Sequence, residues 1–153
     1  MANTYTQLYV QVVFAVKYRN ASRHASWRPE LYKYIVGLIE HRNHKVYAIG
    51  GSYDHLHILI SMNASQSLSE LIMEIKRAST LWIKKKEYVR TRFAWQEGYG
   101  AFSYGQSQIP NVINYIQNQQ EHHSKHTFQD EYRAFLELFQ VEYNDKYIFS
   151  EPE

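Results

Sequence analysis

The stretch Asp54-His55-Leu56-His57-Ile58-Leu59-Ile60 decides how this chain is read. An extended strand turns successive side chains to opposite faces, so His55 and His57 project together while Leu56, Ile58 and Ile60 face a core. Two adjacent imidazoles beside an apolar stripe make half of a metal site. Further along, Val112-Ile113-Asn114-Tyr115-Ile116-Gln117-Asn118-Gln119 has helical spacing, which sets Tyr115 and Gln119 one turn apart on a shared face. That face diverges from the apolar stripe of Val112, Ile113 and Ile116. His55, His57 and Gln119 then offer three metal ligands, and Tyr115 offers a hydroxyl nucleophile. These are the parts needed to break a phosphodiester.

Working outward, Tyr5 to Val16 is rich in β-branched and aromatic residues and reads as a strand. Trp27 to His44 spaces Leu31, Ile35, Leu38 and Ile39 as a helix, with Ser26 as its N-cap and Pro29 in its first turn. Lys45–Ile49 and His55–Ser61 form two strands joined through Gly50-Gly51-Ser52, a hairpin signal. Leu68 to Lys86 is a second helix capped by Ser67, with Leu68, Leu71, Ile72, Ile75, Leu81 and Trp82 on its apolar face. Phe93–Trp95 and Tyr99–Tyr104 read as short aromatic strands. A third helix starts at Ser107 and runs to about Lys125 by its periodicity. A last helix from Phe128 to about Val141, again by periodicity, carries Tyr132, Phe135, Leu136 and Phe139.

The order β-α-β-β-α-β is the ferredoxin-like arrangement, an α+β fold with helices packed on an antiparallel sheet. No repeat or linker divides the chain. It is read as one domain, with residues 1–126 as its body and 127–153 as a C-terminal helical extension.

With 153 residues and 44% apolar content, the chain can bury a core, and three prolines and six glycines argue against disorder. It has no cysteine, which excludes disulfides and thiolate zinc sites. No apolar run is long enough to span a membrane, and the N-terminus lacks the pattern of a signal peptide. The expectation is a soluble, cytoplasmic protein. Residues 1–120 hold 14 Lys/Arg against 7 Asp/Glu, a balance of +7, while residues 121–153 hold 3 against 8, a balance of −5. Between positions 76 and 92 lie Lys76, Arg77, Lys84, Lys85, Lys86, Arg90 and Arg92, with Glu87 as the sole acid. Alone, such a run reads as a solvated helix face. Beside a phosphodiester-cleaving motif it reads as a DNA-binding surface, with Lys17 and Arg19 added to it.

His-hydrophobic-His on a strand, followed by a helix with Tyr-x-x-x-Gln, resembles the HUH single-tyrosine transposases of small bacterial insertion sequences. The likeness covers most of the chain. It takes in Val16-Lys17-Tyr18-Arg19 at the end of the first strand and Trp95-Gln96-Glu97-Gly98-Tyr99-Gly100-Ala101-Phe102 ahead of the tyrosine helix. Tyr53 departs from the pattern, since relatives often carry proline before Asp-His. The resemblance implies that Tyr115 attacks single-stranded DNA to leave a 5′-phosphotyrosine and a free 3′-hydroxyl. It also implies a divalent ion (Mg²⁺ or Mn²⁺), recognition of a hairpin at each element end, and a homodimer in which the tyrosine helix serves its own or the partner's site.

Several residues keep two readings at this stage. Asp54 either orients a ligand histidine or caps the turn. His122 either tunes the site or, with His123 and His126, forms a polar helix end. Trp95, Tyr99, Phe102 and Tyr104 either stack on bases or pack the core. For the whole chain, the alternatives are a domesticated relative that processes chromosomal repeats, a replication initiator of the same chemistry, and a ferredoxin-like nucleic-acid-binding module without cleavage.

Overall fold

A computed structural model describes residues 3–18, 26–89, 92–119 and 126–150. Four strands are present, β1 (Tyr9–Ala15), β2 (Lys45–Gly51), β3 (His55–Ser61) and β4 (Gly100–Tyr104). They form one sheet in the order β2-β3-β1-β4 with every pairing antiparallel. The helices are α1 (Arg28–His41), α2 (Leu68–Lys85), α3 (Ile109–Gln117) and α4 (Phe128–Leu138). The ferredoxin-like α+β reading is therefore correct, with a C-terminal helix added.

Register fixes which side chains share a face. Val12 pairs with Ile58, and Val13 with His57. The Val12, Phe14, Leu56, Ile58 and Ile60 side packs under α1 and α2 through Leu31, Ile35, Ile39, Leu71, Ile72 and Ile75. On the other side, Leu59 meets Ile109, Val112 and Ile116 of α3. Phe102 of β4 meets Phe135 and Phe139, with ring centroids 5.1 and 4.9 Å away. Because both faces are covered, β3 is buried from His55 to Ile60, and the burial alternation of a one-sided strand is absent. Phe128, Tyr132 and Leu136 of α4 join the main core, so this helix is packed on the body of the fold.

Two glycines let the helices settle on the sheet. A Cβ on Gly50 would lie 2.5 Å from the Ile116 carbonyl oxygen, and one on Gly100 would lie 2.6 Å from the Tyr132 ring. The hairpin reading changes accordingly: Gly50 and Gly51 are strand residues, and Ser52–Asp54 make the connection. Gly50 is there for close approach of a helix.

Other boundaries shift in small ways. Helix α1 begins at Arg28 with Trp27 as N-cap and no side-chain cap bond, so Ser26 does not cap it; Pro29 does sit in the first turn. Ser67 caps α2 as expected, its hydroxyl accepting the Glu70 amide at 3.2 Å. Phe93–Trp95 contributes only an isolated bridge between Trp95 and Val16. A 3-10 turn over Gln106–Gln108 precedes α3, which ends at Gln117. The single helix expected from Ser107 to about Lys125 is thus interrupted by a turn at Asn118, and residues 120–125 lie outside the described residues.

Candidate active site

The antiparallel register places His55 opposite Ala15 and His57 opposite Val13, on the face covered by α3 and α4. Their rings are edge-to-face, with centroids 4.9 Å apart. Both are buried, and the His55 ring also stacks on Phe128 at 4.2 Å. From α3, Tyr115 brings its ring to 5.8 Å from the His57 ring, while the buried Gln119 sets Oε1 2.8 Å from His55 Nε2. Within one chain, then, the structure brings together His55, His57, Gln119 and Tyr115.

Glu131 of α4 completes the cluster. Its buried carboxylate has two different sides. Oε1 lies 3.0 Å from His57 Nε2 and 3.5 Å from His55 Nε2. Oε2 accepts the Gln119 amide at 3.1 Å and also accepts the Tyr115 hydroxyl. Burial, and then the Glu131 charge, raise the Tyr115 phenol well above its ordinary pKa, so it is held protonated and needs an acceptor for its proton before it can attack.

Donor atoms of His55, His57 and Glu131 all lie within 4.8 Å of one another. Two imidazoles, a carboxylate and a nearby amide oxygen form a donor set that fits a divalent ion. A buried carboxylate beside these nitrogens is itself a reason for a cation there, since a buried charge is costly unless it is compensated. Asp54 Oδ1 accepts the Ser52 hydroxyl at 2.8 Å within the turn and lies 2.7 Å from His55 Nδ1.

Sequence reading missed Glu131. Its only local signal is its place on α4, three residues after Phe128 and four before Phe135. An acid on the inward stripe of an amphipathic helix needs a buried partner.

The proposed DNA-binding residues fall in different settings. Arg77, Lys84, Lys85 and Lys86 are exposed on or just after α2, in the layer opposite α3. Lys17 and Arg92 are exposed beside Tyr18, their cationic groups 5.6 and 4.7 Å from its ring centroid. Lys76 is half-buried, donating to the carbonyls of Gln96 and Gly98 at 2.9 and 2.6 Å. Burial pushes its pKa down to about 8. Arg19, Arg90, His122 and His123 lie outside the described residues. His126 lines a cavity of about 390 Å³ with Tyr115, Asp130, Glu131 and Phe135. Trp95 and Phe102 are packing residues: the first meets Phe14 edge-on, the second meets α4. Among the described residues no helix is long and apolar enough to cross a membrane.

The fold thus gathers two histidines, a carboxylate and a tyrosine on one face of a ferredoxin-like sheet. The family model described as "Transposase IS200 like" matches residues 4–119, and the chain belongs to that family. Comparison with curated proteins gave no match. Among solved structures, the chain is similar to a candidate transposase from Deinococcus radiodurans R1. The TM-score is 0.61 at 15% identity, over 78% of this chain and 95% of that one. It is equally similar to a REP-associated tyrosine transposase bound to a REP hairpin, with TM-score 0.61 and 15% identity, over 100% of this chain and 96% of that one.

Proposed function

We propose that this protein is a single-strand DNA endonuclease and strand transferase that acts as a transposase through a 5′-phosphotyrosine intermediate. The observation that carries the reading is the Glu131 carboxylate, with one oxygen toward His55 and His57 and the other toward the Tyr115 hydroxyl. His55, His57 and Glu131, with Gln119 beside them, would hold Mg²⁺ or Mn²⁺. When bound, the ion would polarise the scissile phosphate and offset charge on the leaving oxygen.

Tyr115 is the nucleophile. Its oxygen bonds to phosphorus as the bond to the 3′ oxygen breaks, leaving a 5′-phosphate on the tyrosine and a 3′-hydroxyl. Glu131 Oε2, which already accepts the phenol's hydrogen bond, is the nearest acceptor for its proton. The phosphotyrosine keeps the bond energy, so a 3′-hydroxyl can attack it later and rejoin strands without ATP. Hairpin recognition falls to Lys17, Arg19, Arg77, Lys84, Lys85, Lys86, Arg90 and Arg92, with Lys76 shaping the Gln96–Gly98 loop beside them. One nucleophile per chain fits a homodimer that cuts two element ends, and a chromosomal substrate places the protein in the cytoplasm.

A second reading, processing of dispersed chromosomal repeats by the same chemistry, is favoured by one observation. The hairpin-bound relative aligns with all of this chain, α4 included. Hairpins flanking this gene alone would support a mobile element; copies scattered elsewhere would support repeat processing.

The deciding experiment incubates labelled single-stranded DNA from the gene's own flanks with protein, with and without Mn²⁺. Wild type should form a covalent species that resists boiling in detergent and maps to Tyr115. Tyr115→Phe should fold and bind hairpin DNA yet form none. Wild-type cleavage by the Phe variant, or an adduct on Tyr99 or Tyr104, would sink the mechanism.

A further inference from the structure

His55 and His57 both reach the cluster through Nε2, but their other ring nitrogens meet different chemistry. His55 Nδ1 is 2.7 Å from Asp54 Oδ1. A carboxylate oxygen only accepts, so it draws an N–H to Nδ1; Nε2 faces another acceptor, Gln119 Oε1 at 2.8 Å, and would offer its lone pair to a metal only with that oxygen turned aside. His57 Nδ1 is 2.8 Å from the amide nitrogen of Gln11. An amide nitrogen only donates, and the Gln11 amide oxygen is already engaged by the Tyr104 hydroxyl at 2.7 Å. The lone pair of His57 is therefore turned to Nδ1 and its N–H to Nε2, where it donates to Glu131 Oε1 at 3.0 Å. That proton stands where an imidazole would bind an ion.

Gln11 is fully buried on β1, paired with Leu59 and so diagonal to His57 on the neighbouring strand. Its carboxamide exchanges oxygen for nitrogen by a half-turn about its last bond, with no movement of the chain. Tyr104 can follow, because a hydroxyl accepts as readily as it donates. Burial pushes the Tyr104 phenol up to about 12, so it stays a neutral donor and acceptor at physiological pH.

We propose that Gln11 is a positioning residue whose amide orientation sets the tautomer of His57, with the Tyr104 hydroxyl as its pivot. With nitrogen toward the ring, Gln11 holds the metal-free tautomer; with oxygen toward the ring, it holds the N–H at Nδ1 and frees Nε2. The ring's single N–H changes nitrogen, and its proton count is unchanged. The inference rests on the metal-site reading above and adds a residue that reading does not use.

The test is nitrogen NMR of ¹⁵N-histidine-labelled protein, metal-free and then with Mg²⁺, alongside Mn²⁺ binding by calorimetry. Wild-type His57 should be the Nε2–H tautomer without metal and the Nδ1–H tautomer with it. Gln11→Leu should lose the metal-free preference and bind Mn²⁺ about 10- to 100-fold more weakly, the usual cost of removing an outer hydrogen-bond partner of a ligand histidine. Gln11→Glu, which can only accept, should show the Nδ1–H tautomer before metal is added and keep Mn²⁺ binding. Tyr104→Phe should move the metal-free tautomer balance in the same direction as Gln11→Leu, by less. A wild-type His57 whose tautomer ignores Mg²⁺ overturns the proposal, as does a Gln11→Leu protein with wild-type Mn²⁺ affinity. Failure of the functional reading looks different: His57 still changes tautomer with Mg²⁺, but no covalent adduct forms on DNA.

Discussion

Toward α1 and α2, β3 presents Leu56, Ile58 and Ile60; toward α3 and α4, it presents His55, His57 and Leu59. Both sets are almost completely buried, yet they are stabilised in different ways. Leu56, Ile58 and Ile60 gain from removing apolar area from water and need only shape to fit. His55 and His57 cost free energy unless every ring nitrogen finds a partner, and each does: Asp54 and Gln119 for one, Gln11 and Glu131 for the other. Burial on the apolar side serves stability, and burial on the histidine side serves a fixed geometry of donors. Adjacent residues of one strand thus answer to different demands.

Substituting those neighbours separates the demands most sharply. His57→Ala should abolish metal-dependent cleavage while hairpin binding persists, and metal titration should differ from wild type. Ile58→Ala should lower unfolding free energy by about 2–5 kcal/mol in denaturant melts, with cleavage per folded molecule retained. Equal activity losses would erase the distinction between faces.

Gly50→Ala probes how α3 is seated. A methyl there meets the Ile116 carbonyl, so α3 must move, at a cost of about 1–3 kcal/mol in stability. Cleavage should fall as well, because α3 carries Tyr115 and leads directly to Gln119. An unshifted melting temperature would mean that the helix is not seated on Gly50.

The opposite layer is tested by salt. Replacing Lys84, Lys85 and Lys86 together with alanine should reduce the slope of log affinity for hairpin DNA against log salt by about 2 to 3, at roughly 0.7–0.9 for each phosphate left without its cation. Metal binding at the histidines should be unaffected. An unchanged slope would move the DNA to another surface.

The smallest effect is alkaline. Tyr104, Tyr115 and Tyr132 all have pKa values raised by burial, so the unfolded chain loses these protons first as pH rises past about 10. Their contribution to stability is complete below that pH and declines above it. Melting temperature should drop between about pH 10 and 12, and Tyr115→Phe should drop less steeply. A flat profile would place these phenols in water.

Local periodicity alone determined the element order and the shared face of His55 and His57. Those facts follow from the two-residue repeat of a strand and the 3.6-residue repeat of a helix, which depend on no distant neighbour. Glycine in Gly50-Gly51-Ser52 was read as turn chemistry, because a single sequence does not show that a helix backbone will rest on Gly50. Lys76 reads in sequence as one member of a basic run; only the fold brings the Gln96 and Gly98 carbonyls to its ammonium. Glu131 and Gln11 reach the histidines from α4 and β1, far along the chain in either direction. A buried polar side chain takes its role from the groups that satisfy it. Here those groups are supplied by strand register and by helices folding back onto one face of the sheet, which tertiary structure alone decides.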